Sequence, residues 1–148
     1  MFQEVSRELL RLGYKIRFRP AGRSMQPTIK DGEAITVAPV SSHQVKRGDI
    51  LLYCTGRGMI AHRVVKTGVD RERGAYFIMR GDSSVSADEP VAAGRVLGKV
   101  VSVERRGRTI SLSGRRAFIR HSANLWALKI RRRIASARGQ IYRWKLQL

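Results

Sequence analysis

A chain of 148 residues with 43% hydrophobic residues is one domain's worth of protein and can bury a core without disulfides or a metal. Its single cysteine, Cys54, excludes an internal disulfide and a cysteine-based zinc site. Thirty Lys and Arg against eleven Asp and Glu give a net charge of +19, which points to a polyanionic partner: a membrane surface or a nucleic acid.

In chain order, residues 2–12 have helical spacing. Val5, Leu9 and Leu12 share one face, and Gly13 ends the helix. Lys15-Ile16-Arg17-Phe18-Arg19 alternates charged and apolar side chains, as a half-buried strand does, and Pro20 and Gly22 break it. Short strands between tight turns follow. They are Ala34–Val37, Asp49–Tyr53, Met59–Val65, Ala75–Arg80, Val96–Glu104 and Thr109–Leu112. Gly56-Arg57-Gly58 joins residues 50–54 and 59–65 as a hairpin, with Cys54 a packed strand residue. This pattern implies a mainly β, antiparallel, barrel-like domain with a short N-terminal helix.

Residues 115–148 differ in character. They hold ten basic residues and no acid, whereas residues 1–114 hold twenty basic and eleven acidic ones. Helical spacing over 122–134 gathers Leu125, Trp126, Leu128 and Ile130, and Gly139 interrupts it before Trp144. The expected division is a β domain over 1–114, with its motifs within 20–103, and a basic, helical extension over 115–148. The extension suits contact with an anionic membrane. Nucleic acid is supported by charge alone, because no zinc-finger or helix-turn-helix pattern is present. No run approaches the roughly 20 apolar residues of a membrane span, and the first ten residues lack the apolar centre of a secretory signal. The expectation is a cytoplasmic chain, at most peripheral at the inner face of the membrane.

Chemistry concentrates in three places. Gly22-Arg23-Ser24-Met25-Gln26-Pro27-Thr28-Ile29 places a serine in a turn, Ala61-His62-Arg63-Val64 lies in a strand, and Gly81-Asp82-Ser83-Ser84 follows. A serine hydroxyl needs a neighbouring base, which histidine supplies with a reference pKa near 6.5, and a carboxylate holds the imidazole in the right tautomer. Of three histidines, His43 sits in a polar loop and His121 in the basic extension. Only His62 lies in an apolar strand that would hold it rigidly. Arg63 reads as solvated, and Lys30, Lys46 and Lys66 remain alternative bases.

Taken in order, Ser-Met-x-Pro-Thr-Ile, Lys-Arg-Gly-Asp-Ile-Leu-Leu-Tyr, Ile-Ala-His-Arg-Val-Val, Arg-Gly-Asp-Ser-Ser and Val-Leu-Gly-Lys-Val-Val resemble the type I signal peptidase family. The similarity is to the endoplasmic-reticulum and archaeal branch, which uses histidine where most bacterial enzymes use lysine. The resemblance implies a serine endopeptidase that cleaves a leader or precursor peptide after small residues, without a metal or cofactor. Ser24 matches the nucleophile and His62 the general base. Asp82 and Asp88 match the two aspartates of the Gly-Asp box, one of which orients His62; Asp88 is favoured. Met25 and Pro27 fall where substrate is bound, although Met25 also reads as core. Gly48-Asp49 reads as a turn into a strand, and Gly98 as a point of close backbone packing. Two features depart from the family. Gly22 replaces the serine whose hydroxyl assists the oxyanion in many relatives, and the family's membrane anchor is not seen. The competing reading is an inactive module of the same fold that binds nucleic acid or an anionic membrane through its basic surface.

Overall fold

The computed structural model describes residues 1–113; the expected helical extension lies outside the described residues. Helix α1 (Phe2–Arg11) is followed by β1 (Ile16–Phe18), β2 (Ala34–Ala38), β3 (Ile50–Thr55), β4 (Gly58–Asp70), β5 (Gly74–Arg80), β6 (Val91–Ala92), β7 (Val96–Arg105) and β8 (Arg108–Ser111). One turn of 3-10 helix, Ser42–Gln44, precedes β3, and another, Ala93–Arg95, joins β6 to β7.

The strands form one antiparallel sheet, curled into a half-barrel, in the order β1-β2-β7-β3-β4-β5-β6. Two long strands create the curl. The first half of β4 pairs with β3, and its second half pairs with β5 on the other edge, with a register shift between Val64 and Lys66. Likewise β7 pairs along one edge with β2, while β3 and then β8 share the other. A bulge inserts an extra residue and bends the strand at that point. β4 continues to Asp70, past the Val65 end that its apolar residues suggest. Gly68 permits this, because Tyr76 lies where its Cβ would be, only 2.3 Å away. The exposed end of β4 is thus held by backbone pairing and an aromatic ring rather than by an apolar face.

Each face of the sheet carries an apolar cluster. One gathers Leu10, Ile16, Met25, Ile29, Ile35, Val37, Ile50, Leu52, Val100 and Val103. The other gathers Val45, Leu51, Tyr53, Val64, Phe77, Met79 and Val91. Alternation in β3 supplies both, with Ile50 and Leu52 facing one way and Leu51 and Tyr53 the other. Full burial of one such aliphatic side chain is worth about 1.5–3 kcal/mol, so the two clusters make the sheet a rigid frame. At Gly98 a Cβ would stand 2.6 Å from the Ala38 carbonyl oxygen, so the β2–β7 approach requires glycine, the close packing expected from the family resemblance.

The Val5–Leu9–Leu12 face does not enter the core; the helix docks through Ser6 and Leu10 instead. Among the described residues, no helix is long and apolar enough to cross a membrane.

Candidate active site

β4 positions His62. It pairs in register with Leu51 on β3, so its ring projects from the same face as Leu51 and Tyr53, where it is buried. The ring lies 6.3 Å from the Tyr53 ring, edge to face. Both imidazole nitrogens are engaged. Nδ1 is 2.5 Å from Asp88 Oδ2, and Nε2 is 3.0 Å from Ser24 Oγ. A carboxylate only accepts hydrogen bonds. Asp88 therefore selects the tautomer with hydrogen on Nδ1, which leaves the Nε2 lone pair facing the Ser24 hydroxyl. That separation lies within the hydrogen-bond reach required of a general base. Ser24 itself is exposed, so the hydroxyl is open to a substrate while its partner is sheltered.

Asp88 is held from two further directions. Its N–H donates to the Met79 carbonyl at 2.7 Å, continuing from the end of β5. The Tyr53 hydroxyl donates to Oδ2 at 3.0 Å, the same oxygen that faces His62. Burial first, and then the bond and charge of Asp88, push the Tyr53 phenol well above its ordinary value. Tyr53 thus remains a protonated donor throughout the neutral range. Nothing in the sequence singled it out; only the i, i+2 alternation with Leu51 brings it to the imidazole.

Asp82 is engaged by Arg63 and Thr28. Its carboxylate receives Arg63 Nε and Nη2, each at 2.8 Å, and the Thr28 hydroxyl at 2.5 Å. Arg63 is buried rather than solvated, and its Nη1 donates to the Gly48 carbonyl at 2.8 Å. Asp82 therefore ties the strand residue next to His62 to the segment that follows Ser24. The same turn holds Ser24 directly. Ser83 N donates to the Ser24 carbonyl at 2.9 Å, and Ser83 Oγ bridges the carbonyls of Arg23 and Ser24 at 3.0 Å each. At Gly81 a Cβ would stand 2.7 Å from the Ser24 carbonyl oxygen and 3.0 Å from the Ser24 Cβ, so only glycine allows this contact.

A third clamp comes from the end of β7. Arg105 Nη2 donates to the carbonyls of Pro27 (3.3 Å) and Thr28 (3.1 Å), and Glu33 fixes the guanidinium through Nε at 2.5 Å and Nη2 at 2.8 Å. The Arg105 hydrogen bonds hold the Glu33 carboxyl below its ordinary value. Met25 turns inward, only 5% exposed within the first apolar cluster, so its side chain anchors the loop rather than lining an open subsite. Pro27 is half-buried on the loop's exit. Gly22, with φ of 123°, lies in the region that glycine favours, and its N–H donates to Asp31 Oδ1 at 2.9 Å. The backbone N–H groups of Ser24 and Met25 donate to none of the described residues.

The alternative bases stand apart from this arrangement. Lys30, Lys46 and Lys66 are all exposed, and none hydrogen-bonds Ser24. No group of three or more His, Cys, Asp or Glu among the described residues could hold a metal ion. Two surface clefts, of about 540 and 570 Å³, lie around the β7–β8 turn and include neither Ser24 nor His62. The hydrogen-bonded line Ser24–His62–Asp88 is what marks the site. No family model and no curated protein matches the chain.

Proposed function

We propose that this protein is a serine endopeptidase of the type I signal peptidase kind, with Ser24 as nucleophile, His62 as general base and Asp88 as orienting acid. One observation carries the reading: a single imidazole joins an exposed serine hydroxyl at 3.0 Å to a carboxylate at 2.5 Å. The five sequence boxes, in order, add the family resemblance.

The chemistry follows from the geometry. Ser24 Oγ attacks the scissile carbonyl carbon as its proton passes to His62 Nε2. The imidazolium is stabilised across Nδ1–H by Asp88. The carbonyl oxygen becomes an oxyanion, and the Ser24 N–H supplies a donor without help from a side chain at Gly22. Loss of one such donor typically costs about 2.7–4 kcal/mol of activation. Collapse breaks the C–N bond as the imidazolium hydrogen passes to the departing amine, leaving an ester on Ser24. Water then attacks the ester and gives its proton to His62. The carboxylic product departs, and the proton returns to Ser24 Oγ. The substrate class proposed is a leader or precursor peptide cut after a small side chain.

The test is proteolysis of a complex peptide mixture by the purified full chain, read by mass spectrometry of new termini. The expected result is cleavage after small residues that disappears with Ser24→Ala and falls about 10⁴-fold or more with His62→Ala, both variants remaining folded. Equal cleavage by wild type and Ser24→Ala would remove the nucleophile from the proposal.

A further inference from the structure

The turn between β7 and β8 carries an arginine where its backbone does not favour one. Arg106 has φ of 50° and Gly107 φ of 71°, so both central residues of this two-residue hairpin are left-handed. Such a turn favours Asn-Gly or Asp-Gly. Among the described residues Arg106 is the one non-glycine with positive φ, and arginine is not a type enriched in that region. Its side chain is exposed, and it makes no hydrogen bond or ion pair with any described residue.

The two clefts at this turn share Arg105 and Arg106. One reaches Arg19 and Lys30, the other Arg108. Three acids stand among these cations, and each is engaged. Glu33 holds Arg105 and accepts the Lys30 N–H, Glu104 holds Arg17, and Asp31 Oδ1 accepts the Gly22 N–H. Counting every charge, Arg17, Arg19, Lys30, Arg105, Arg106 and Arg108 stand against Asp31, Glu33 and Glu104, a local excess of three positive charges. Arg19 helps to hold the Glu104 carboxyl below its ordinary value, but its own hydrogen bond goes to the neutral Gly32 carbonyl. Lys30, Arg106 and Arg108 bond to no acid among the described residues.

Four cations thus share a concave surface without a bonded counter-ion, and a ligand of concentrated negative charge offsets their repulsion. Guanidinium groups match phosphate oxygens with paired N–H donors, and a lysine adds a point charge. One carboxylate brings a single charge against an excess of three, whereas consecutive phosphates bring three or more. The lining residues include no aromatic ring on which a base could stack, and Ile110 is their only large apolar side chain. Neither bases nor acyl chains would find a surface there, so the phosphates themselves are what the site can read.

We propose that the clefts around the β7–β8 turn bind an anion of consecutive phosphates, held by Arg19, Lys30, Arg106 and Arg108. Such a chain occurs free or at the end of a nucleotide, and the chemistry of recognition is the same. Arg105, on the floor shared by the two clefts, donates to the carbonyls of Pro27 and Thr28, so the site adjoins the clamp on the Ser24 loop. The site does not depend on the peptidase reading.

Residues 115–148 add ten basic residues, so the readout must be local to the cleft. The test is titration of the full chain, at fixed salt, with tripolyphosphate, adenosine triphosphate and a short oligothymidylate, followed by nuclear magnetic resonance at the Gly32 amide in the cleft wall. The cleft variant is Arg106→Asn with Arg108→Gln; asparagine suits the left-handed turn, so the fold is kept. The control, Arg57→Gln with Arg71→Gln, removes the same charge from exposed positions in the β3–β4 and β4–β5 turns. In wild type the Gly32 shift should saturate with tripolyphosphate or adenosine triphosphate. The cleft variant should need at least about ten times more ligand, and the control no more than about twice as much. Tighter binding of adenosine triphosphate would support a nucleotide as the source, and tighter binding of tripolyphosphate a free chain. A Gly32 shift that is absent or does not saturate in wild type would overturn the proposal. So would equal weakening in the two variants, which would leave only bulk charge, or saturation by oligothymidylate alone, which would assign the surface to nucleic acid.

Discussion

Two aspartates six residues apart invite the same substitution and should answer it differently. In Asp82→Asn the carboxylate that receives Arg63 through two 2.8 Å bonds becomes a neutral amide of the same size. The Arg63 and Asp82 side chains are only 10% and 3% exposed, so the guanidinium is left as a nearly buried charge without its counter-ion. Removing one partner of a buried ion pair costs about 3–5 kcal/mol. The remaining bond from Arg63 to the Gly48 carbonyl argues for the lower end. For a domain of this size, about 3 kcal/mol lowers the melting temperature by at least about 10 °C. Asp88→Asn removes no comparable ion pair from the interior, since the Asp88 side chain is 29% exposed. It does remove the acceptor that fixes the hydrogen on His62 Nδ1, and a wrong tautomer in such a triad costs about 10⁴-fold in turnover. Differential scanning calorimetry and peptide cleavage, run on both variants, separate the two roles. Asp82→Asn should melt early, with activity retained where it is folded, and Asp88→Asn should melt near wild type with activity lost. If Asp82→Asn instead melts as wild type but is inactive, and Asp88→Asn cleaves normally, the roles of the two carboxylates are exchanged and the reasoning from the His62 contact is wrong.

Three further outcomes follow from the clamps around Ser24. Tyr53→Phe deletes the 3.0 Å bond to Asp88 but keeps the packed ring, so the protein should fold normally and cleave about tenfold more slowly, for a loss near 1–1.5 kcal/mol; unchanged turnover would show that Asp88 needs no second donor. Gly81→Ala puts a Cβ 2.7 Å from the Ser24 carbonyl oxygen, and a loop displaced by about 1 Å should lose on the order of 100-fold in rate, with about 1–3 kcal/mol of stability, read by cleavage and chemical denaturation. Glu33→Gln weakens the hold on Arg105. Because that bond keeps the folded carboxyl below its unfolded value near 4.5, its stabilisation is present above that value and is lost as pH falls through the lower folded one. Denaturation curves of wild type and Glu33→Gln should therefore differ by about 1–2 kcal/mol at pH 7 and converge toward pH 3. A constant gap across that range would mean that packing, not the ion pair, is what the substitution removes.

The sequence by itself determined the strand-rich, antiparallel character of residues 1–113, because glycine-punctuated runs of β-branched residues leave few other ways to satisfy the backbone. It also isolated Ser24 and His62: a serine in a turn and one histidine in an apolar strand are local facts. It could not separate Asp82 from Asp88, since six residues of loop allow either carboxylate to reach the imidazole. Tertiary structure decided that question through the 2.7 Å bond from Asp88 N to Met79, which directs one carboxylate toward His62, while buried Arg63 draws the other away. Arg63 looked solvated because burial of a charge depends on a partner supplied from elsewhere in the chain. Tyr53 and Arg105 escaped notice for the same reason, and the bonds of Ser83 to the Ser24 loop were equally hidden, as each acts across a strand pairing or a loop contact. The apolar face of α1 shows the opposite limit. Helical periodicity located Val5, Leu9 and Leu12 correctly, but a periodic pattern says only that a face avoids water. The fold, by burying Ser6 and Leu10 instead, decided that this face looks outward.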